Sequence, residues 1–148
     1  MKTLESFDTP IDCDFLIIGA GLSGLYSALY ASEFGKVCIL TKSSIDESNS
    51  YWAQGGIAAA IDTNDSVDSH FEDTIAVGSG LNKEDSSKIM VREGFDRVNE
   101  LVKMGMEFDS DSSGFELGIE GGHSKRRILH ALGNETGRAV VEFLSKKI

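Results

Sequence analysis

The sequence Asp14-Phe-Leu-Ile-Ile-Gly-Ala-Gly-Leu-Ser-Gly24 joins a short apolar run to three closely spaced glycines. The run from Phe15 to Ile18 is apolar and ends in β-branched residues, which predicts a strand buried on both faces. After the last glycine, apolar residues recur at helical spacing, and Lys36-Val-Cys-Ile-Leu-Thr41 then predicts a second strand. Strand, glycine turn, helix and strand together predict a βαβ unit.

The three glycines, Gly19, Gly21 and Gly24, have the spacing G-x-G-x-x-G. In dinucleotide-binding folds the first glycine permits a tight turn, the second lets a pyrophosphate approach the backbone, and the third lets helix and strand pack closely. Free N–H groups at the helix N-terminus then face the phosphates. The spacing alone is weak evidence, but its place in a βαβ unit favours a dinucleotide site over a glycine-rich turn without a ligand.

The chain has 148 residues, 41% hydrophobic content and a formal net charge of −10. This length is that of one domain at most, and the apolar content is sufficient for a packed core. The negative charge argues against nucleic acid or an anionic membrane as a partner of the whole surface. The uncharged run from Phe15 to Ser32 is interrupted by glycines and follows no basic leader, so we interpret it as strand, turn and helix rather than a membrane span.

Cys13 and Cys38 are the two cysteines of the sequence, and they fall at or inside the two predicted strands. Two thiols without clustered histidines or further cysteines do not make a zinc site, so no metal site is predicted. Core filling in a reducing cytoplasm is the favoured role, and a catalytic cysteine is the alternative. We therefore predict a cytoplasmic protein.

Residues 1–12 are predicted to form a flexible tail, and residues 13–148 to form the folded part. One helix is predicted after the cap-like cluster Asn64-Asp65-Ser66, because an apolar stripe recurs there at helical spacing, formed by Val67, Phe71, Thr74 and Ile75. Ser69 and Glu72 have capping-box spacing, and the helix is expected to end near Gly78 or Gly80. A second helix is predicted to begin after an N-cap at Asn82 and to end before Gly105, and a third to extend from Thr136 to Lys147.

Between the last two helices, a hairpin is predicted. Its strands would be Met106-Glu-Phe108 and Phe115-Glu-Leu117, joined by a loop over residues 109–114. Only two parallel strands are identified, whereas a doubly wound sheet needs several, and the last predicted helix has no strand returning to the sheet. The sequence is therefore expected to be an N-terminal portion of a longer enzyme.

The end of the second predicted strand bears on the choice of cofactor. An NAD site usually has an acidic residue there, which binds the ribose hydroxyls. Thr41 and Lys42 occupy that position here, and a cation suits phosphate or another electron-rich group better than a ribose diol. This difference argues against NAD and leaves FAD open.

Further motifs follow in a fixed order: Asn49-Ser-Tyr-Trp-Ala-Gln-Gly-Gly56, Asp65-Ser-Val-Asp-Ser-His-Phe-Glu-Asp73, Glu120-Gly-Gly-His-Ser-Lys-Arg-Arg-Ile-Leu-His130 and Thr136-Gly-Arg138. With these motifs, the sequence from Asp14 onward resembles the succinate dehydrogenase/fumarate reductase flavoprotein superfamily and, within it, the L-aspartate oxidase family. The resemblance implies an α/β, Rossmann-like FAD-binding domain. It also implies that this domain is incomplete, with the start of an inserted α+β substrate (capping) region absent or beyond residue 148.

The function implied by the resemblance is FAD-dependent oxidation of L-aspartate to iminoaspartate, the first step of de novo NAD biosynthesis. Oxygen or fumarate would accept the electrons, and quinolinate synthase would consume the product. The family's catalytic arginine would lie beyond residue 148, so no catalytic residue is assigned within the chain and the chain alone is expected to be inactive.

The resemblance also implies a set of FAD contacts. Residues of the glycine turn would line the pyrophosphate, Lys42 would contact FAD, and the segment from Asn49 to Gly56 would wrap the flavin. Membrane-bound members carry a flavin-linking histidine seven residues before the second glycine of Gln-Gly-Gly; here that residue is Asn49, so FAD is expected to be non-covalent. The implied cofactor-binding residues are Gly19, Ala20, Gly21, Leu22, Ser23, Gly24, Lys42, Asn49, Ser50, Tyr51, Trp52, Ala53, Gln54, Gly55 and Gly56.

Glu120 and His123 are the predicted substrate-binding residues. By resemblance, Glu120 would orient the amino group of aspartate, and His123 lies in the glycine turn before the basic run of residues 125–127. That run is interpreted either as an anion site for the substrate carboxylates or as a solvated face. Glu120 has the alternative of pairing with one of the arginines.

Several alternatives stay open. Tyr51 and Trp52 are alternatively core residues, and His70 and His130 are interpreted as structural, hydrogen-bonded histidines. The first alternative function is a soluble fumarate reductase or succinate dehydrogenase-like flavoprotein, which has no use for an ammonium partner such as Glu120. The second is a non-catalytic fragment that binds nucleotide.

Overall fold

The computed structural model describes residues 10–148, so most of the predicted tail lies outside the described residues. The chain is a mixed α/β structure that divides into two compact units. The first unit extends up to Ala53 and includes Gly137–Ile148, and the second unit is Gln54–Thr136. Among residues 10–148, no helix has the length and apolar character needed to cross a membrane.

The first unit contains the predicted βαβ arrangement. Strand β1 (Phe15–Ile18) leads through the glycine turn into helix α1 (Leu22–Ala31), and strand β2 (Val37–Leu40) follows. The two strands are parallel, with Phe15 opposite Val37 and Ile18 opposite Leu40. A short 3-10 helix (Ile45–Glu47) comes after β2. The predicted strand-turn-helix-strand order is therefore confirmed.

The prediction that β1 is buried on both faces is wrong for the described chain. Leu16 is 58% exposed and Ile18 is 79% exposed. Helix α1 packs on the strand pair through buried Leu25 and Ala28. Among residues 10–148, β1 pairs with β2 alone, so the side chains that point away from α1 are left uncovered.

The second unit packs two helices with short strands. Helices α2 (Val67–Val77) and α3 (Glu84–Lys103) are followed by the hairpin β4 (Ser110–Asp111) and β5 (Gly114–Phe115). A three-stranded antiparallel sheet has β7 (Ile128–Leu129) at its centre, between β3 (Ile57–Ala58) and β6 (Leu117–Gly118). The buried apolar residues of this unit are Ala59, Ala60, Val91, Val98, Leu101, Met106, Phe108, Ile128, Leu129 and Ala131.

The start of α2 lies at the predicted cap-like cluster, whereas the start of α3 differs from the predicted cap. Ser66 is the N-cap of α2, and its side chain accepts a hydrogen bond from the Ser69 N–H at 3.0 Å, so the capping box at Ser69 and Glu72 is wrong. Lys83 is the N-cap of α3, one residue after the predicted Asn82, whose side-chain amide donates to Ser87 Oγ at 3.4 Å. The end of α2 at Val77, before Gly78, is as predicted.

The hairpin is also tighter than predicted. Ser110 pairs with Phe115 and Asp111 with Gly114, so the strands lie inside the predicted loop. Asp111 Oδ1 accepts hydrogen bonds from the Ser113 N–H and hydroxyl at 2.7 and 2.6 Å, which closes the turn locally. The predicted strand residue Leu117 belongs to β6 and pairs with β7 instead.

Helix α4 (Thr136–Lys147) has the predicted bounds. Apart from its first residue, it belongs to the first unit, where Val140, Val141 and Leu144 are buried.

Candidate functional site

The glycine turn of the first unit has the backbone that the motif requires. Gly19 has φ of 110°, a conformation that side-chain-bearing residues rarely adopt. A Cβ on Gly24 would collide with the carbonyl of Gly19, so α1 packs directly on the turn. Gly21 is the N-cap of α1 and has no side chain to cap the helix N–H groups. The turn therefore presents open backbone and the positive end of a helix.

The predicted flavin-wrapping segment joins this turn through Ser50. Its Oγ accepts a hydrogen bond from the Leu22 N–H at 3.0 Å, and a Cβ on Gly21 would lie 3.2 Å from the same oxygen. Ser50 is thus the residue of the segment that the structure places at the start of α1. Ala20 of the turn is buried at 4% exposure, so its side chain packs inward while its backbone belongs to the turn.

Gly137 is a site residue that sequence reasoning did not assign. Its N–H donates to the Ala53 carbonyl at 3.0 Å, and a Cβ there would collide with the Ser50 carbonyl. The first turn of α4 therefore packs against residues 50–53. The available signal was a glycine inside a helix, where it costs stability unless close packing requires it.

The two aromatic residues of the segment differ in environment. Tyr51 is half-buried, and its hydroxyl donates to Glu142 Oε1 at 3.3 Å. Partial burial and the Glu142 carboxylate raise the pKa of Tyr51 above its usual value. Trp52 is 69% exposed and lies edge-on to Tyr51, so the core interpretation is wrong for Trp52. Lys42 and Asn49 are exposed.

A largely apolar cavity of about 560 Å³ lies in the first unit beside the end of β2. The carboxyl ends of parallel strands are the usual position of ligands in open α/β sheets. The residues that line this cavity include Thr41, Ser43, Ile45, Tyr51, Val141 and Glu142.

In the second unit, the glycines of the Gln-Gly-Gly motif have different surroundings. Gln54 and Gly55 are exposed, and a Cβ on Gly55 would meet no atom within 4 Å. A Cβ on Gly56 would collide with Ile128 and would lie 3.0 Å from His130 Nε2. Gly55 is therefore open to a ligand, whereas Gly56 is required by packing against β7.

Arg127 is fully buried at the centre of a charged cluster. Its Nε and Nη2 donate to the two carboxylate oxygens of Asp65 at 2.7 and 2.8 Å, and its Nη1 donates to Asp73 Oδ2 at 2.7 Å. Nη2 also lies 3.2 Å from Ser69 Oγ. Both interpretations of the basic run, solvated face and anion site, are wrong for Arg127. Lys125 and Arg126 are exposed.

The same cluster holds the turn over residues 120–124. Asp73 Oδ2 accepts hydrogen bonds from both the N–H and the hydroxyl of Ser124 at 2.8 Å. Burial alone would raise the pKa of Asp73, but the hydrogen bonds from Ser124 and Arg127 outweigh it and hold that pKa below its usual value. Asp65 and Asp73 both belong to the motif at residues 65–73, but the motif does not indicate Arg127 as their partner.

His123 lies on the inner side of this turn. Its Nδ1 is 3.4 Å from Arg127 Nη1, and its ring centroid is 5.5 Å from that of His70. His70 is 6% exposed, and its Nδ1 has no hydrogen-bond partner among the described residues, so the hydrogen-bonded structural role is incomplete. Burial, then the positive charge of Arg127, lower the pKa of His70.

Glu120 is at the outer end of the turn, with a side chain 56% exposed. Its Oε1 lies 3.8 Å from Nε2 of His130, so the side chain observed beside Glu120 is a histidine and the arginine alternative is wrong. The second unit therefore brings Glu120 to His130, and His123 to Arg127 and His70.

The chain fits an FAD pyrophosphate at the glycine turn. The residues that would hold it are the backbone of Gly19 and Gly21 and the start of α1, because a side chain at Gly21 would fill the space beside Ser50 Oγ. The exposed Gln54-Gly55 backbone of the second unit offers a second open surface.

Comparison with known proteins agrees with this geometry. A family model described as an FAD binding domain matches residues 14–148. The chain is 44% identical over 133 residues to a chloroplastic L-aspartate oxidase of Oryza sativa subsp. japonica, covering 87% of this chain and 21% of the relative. It is 41% identical over 138 residues to the L-aspartate oxidase of Streptomyces coelicolor, covering 89% of this chain and 24% of the relative. The chain thus spans about a fifth to a quarter of the length of such relatives.

Solved structures of other proteins are also similar to this chain. The Mycobacterium smegmatis Sdh1 complex matches with a TM-score of 0.83 and 35% identity, over 91% of this chain and 23% of that chain. A variant of the E. coli quinol fumarate reductase FrdA matches with a TM-score of 0.82 and 27% identity, over 93% of this chain and 24% of that chain. The predicted resemblance, the α/β fold class and FAD as the cofactor are confirmed. The chain therefore belongs to the FAD-binding domain family.

Proposed function

We propose that this chain supplies FAD-binding residues and part of the substrate site of an L-aspartate oxidase. The observation that carries the proposal is the exposed Glu120 carboxylate in a chain that also has an open glycine turn at an uncapped helix start. The high identity to L-aspartate oxidases supports the same function. Because the chain spans only part of those relatives, the proposal concerns the complete flavoenzyme, with the chain alone inactive.

The residues of the first unit hold the cofactor in this proposal. Backbone N–H groups at Gly21 and the start of α1 bind the pyrophosphate, and exposed Lys42 contributes a positive charge. Asn49 has no nucleophilic side chain to link a flavin, so the cofactor is held non-covalently. Bound FAD supplies the hydride-accepting chemistry, and the protein supplies binding, orientation and charge.

Glu120 binds the substrate in this proposal. Aspartate carries two carboxylates and one ammonium, and a carboxylate acceptor for the ammonium fixes the position of the α-carbon. Arg127 donates to Asp65 and Asp73, so it does not bind the substrate carboxylates. The exposed Lys125 and Arg126, together with the arginine implied beyond residue 148, are the cations proposed for that role. His123 is proposed as a further substrate-side residue of the same turn.

The product is iminoaspartate, and oxygen or fumarate reoxidises the flavin. Quinolinate synthase would then consume iminoaspartate in the first steps of NAD biosynthesis. Cys13 and Cys38 are both free thiols, which suits the reducing cytoplasm proposed as the location.

The test is Glu120→Gln in the complete holoenzyme that contains this chain. The variant keeps the shape and removes a charge-assisted hydrogen bond worth about 1.5–3 kcal/mol, so aspartate kcat/KM should fall about ten- to a hundredfold. Fumarate has no ammonium, so its reduction should change little. The ratio of the two activities is therefore the decisive measurement.

Glu116→Gln is the matched control, because it removes another exposed carboxylate from the same region of the second unit. It should leave both activities unchanged. Equal losses of aspartate oxidation and fumarate reduction in Glu120→Gln would show a structural role for Glu120 and contradict its assignment.

The likeness to a quinol fumarate reductase favours a soluble fumarate reductase as the second candidate function. It predicts fumarate reduction without aspartate oxidation by the wild-type holoenzyme. A non-catalytic nucleotide-binding role predicts no flavin absorbance at about 450 nm in the purified protein.

A further inference from the structure

We propose that His130 is a positioning residue that orients Glu120 towards the substrate ammonium. The inference rests on the proposed function, because it assigns a second residue to the site where Glu120 acts. Its basis is the contact between His130 Nε2 and Glu120 Oε1 at 3.8 Å, in which the histidine side chain is 24% exposed and the glutamate 56% exposed.

The position of the His130 ring requires glycine at two neighbouring positions. A Cβ on Gly56 would lie 3.0 Å from His130 Nε2, and a Cβ on Gly118 would lie 2.8 Å from His130 Cε1. Real Cβ atoms are seldom found at such distances from a ring, so a side chain at either position would displace the imidazole. Gly118 is in β6, and Gly56 ends the Gln-Gly-Gly motif. These glycines form a slot for the ring.

The backbone at His130 is anchored as well. His130 directly follows β7, whose Ile128 and Leu129 are 3% and 1% exposed. The His130 carbonyl accepts a hydrogen bond from the Asp109 N–H at 2.8 Å. A ring with a fixed base therefore faces a carboxylate on an exposed turn, and the histidine limits the orientations of the glutamate rather than the reverse.

The 3.8 Å distance is longer than a hydrogen bond and within the range of an ion-pair contact. A small rotation of the Glu120 side chain closes it, and an Nε2–H of the imidazole then donates a hydrogen bond to Oε1. The second carboxylate oxygen stays available to accept from an ammonium. His130 thus acts through Glu120 and needs no direct contact with the substrate.

The experiment is a double-mutant cycle in the complete holoenzyme that contains this chain. His130→Phe fills the slot without an N–H donor, and it should lower aspartate kcat/KM by about three- to tenfold, mainly through KM. The expected loss is small because contacts between partly exposed side chains contribute little free energy. Fumarate reduction and FAD content, read from absorbance, should be unchanged. In a Glu120→Gln background, His130→Phe should have no further effect on aspartate oxidation.

Two further variants complete the design. His130→Gln keeps an N–H donor and should recover part of the loss, which also covers the case in which phenylalanine disturbs folding. Arg97→Gln breaks an exposed ion pair on α3, between Arg97 and Glu100 at 2.8 Å, and should leave all activities unchanged.

Additive effects of His130→Phe and Glu120→Gln, or an equal loss of fumarate reduction in His130→Phe, would overturn the role of His130. No effect of either His130 variant would overturn it as well. Absence of aspartate oxidation from the wild-type holoenzyme overturns the proposed function itself, which is a different result from wild-type activity that His130 does not influence.

Discussion

The glycines of the chain show how one residue type serves different physical needs. Gly24 has no room for a Cβ because the Gly19 carbonyl occupies the space, and Gly19 itself needs its positive φ. Gly21 has φ of −75°, so its backbone conformation is open to any residue. Glycine is therefore needed at this position for space, because in a dinucleotide site the pyrophosphate approaches its backbone closely.

Gly21→Val should accordingly abolish FAD retention in the complete holoenzyme while the fold persists. The added side chain fills the space beside Ser50 Oγ, which a Cβ alone would approach to 3.2 Å. The measurement is the ratio of flavin to protein absorbance after purification, with circular dichroism as the check on folding.

Gly94→Val is the matched control for this substitution. Gly94 lies inside α3, and a Cβ there meets no atom within 4 Å, so the same change should leave the flavin content at the wild-type ratio. Stoichiometric flavin in Gly21→Val would contradict the placement of the pyrophosphate.

Arg127 marks the limit of sequence reasoning at the scale of single residues. In sequence it is the third member of a basic run, and such runs are usually solvated. Its partners Asp65 and Asp73 lie more than fifty residues earlier, and nothing local indicates the pairing. Gly19, by contrast, could be assigned from sequence because its role depends on neighbours within five positions.

At the scale of elements, α2 carries the charged side of the second unit. Its N-cap region provides Asp65, its first turn provides Ser69, and its middle provides His70 and Asp73. The apolar stripe predicted the helix correctly because it recurs at 3.6-residue spacing. The capping box was wrong because Ser66 precedes Ser69 at the same three-residue offset and competes for the same role.

The stability of α2 should depend on pH through His70. Burial, then Arg127 and His123, lower the pKa of His70 in the folded state, while Asp65 and Asp73 oppose this shift more weakly. The unfolded state therefore binds a proton on His70 at about pH 6.5, whereas the folded state binds it only at lower pH. Stability is lost as the pH falls below about 6.5, and the equilibrium constant for opening of α2 rises by up to about tenfold per pH unit. Hydrogen exchange of the α2 amides between pH 7.5 and 5.5, corrected for intrinsic rates, measures this loss.

His70→Phe keeps a buried ring and removes the titration, so its α2 amides should show a flatter pH profile. Asp73 does not interfere in this range, because its lowered pKa places the loss of its contribution below about pH 4. An identical pH profile for wild type and His70→Phe would exclude His70 as the source.

At the scale of the whole molecule, the sequence predicted the parallel β1–β2 pair and missed the sheet of β3, β6 and β7. Phe15–Ile18 is long enough to show an apolar run. The strands of the second sheet have two residues each, which is too short for any periodicity. Their pairing is set instead by β7, whose buried Ile128 and Leu129 contact a strand on each side.

The last prediction is that the purified 148-residue chain does not oxidise aspartate and that it exposes the apolar strands of its first unit. Parallel strands are stable when both faces are covered, yet Leu16 and Ile18 are 58% and 79% exposed. The substrate residues proposed within the chain are Glu120 and His123, and the catalytic arginine that the resemblance implies is not assigned to any of its residues. Aspartate-dependent peroxide formation, measured beside a complete holoenzyme that contains this chain, should stay at background, and binding of an apolar dye should report the uncovered strands. Turnover by the chain alone would require that Lys125 and Arg126, its exposed cations nearest Glu120 in sequence, bind both substrate carboxylates, and would contradict the proposed need for a further arginine.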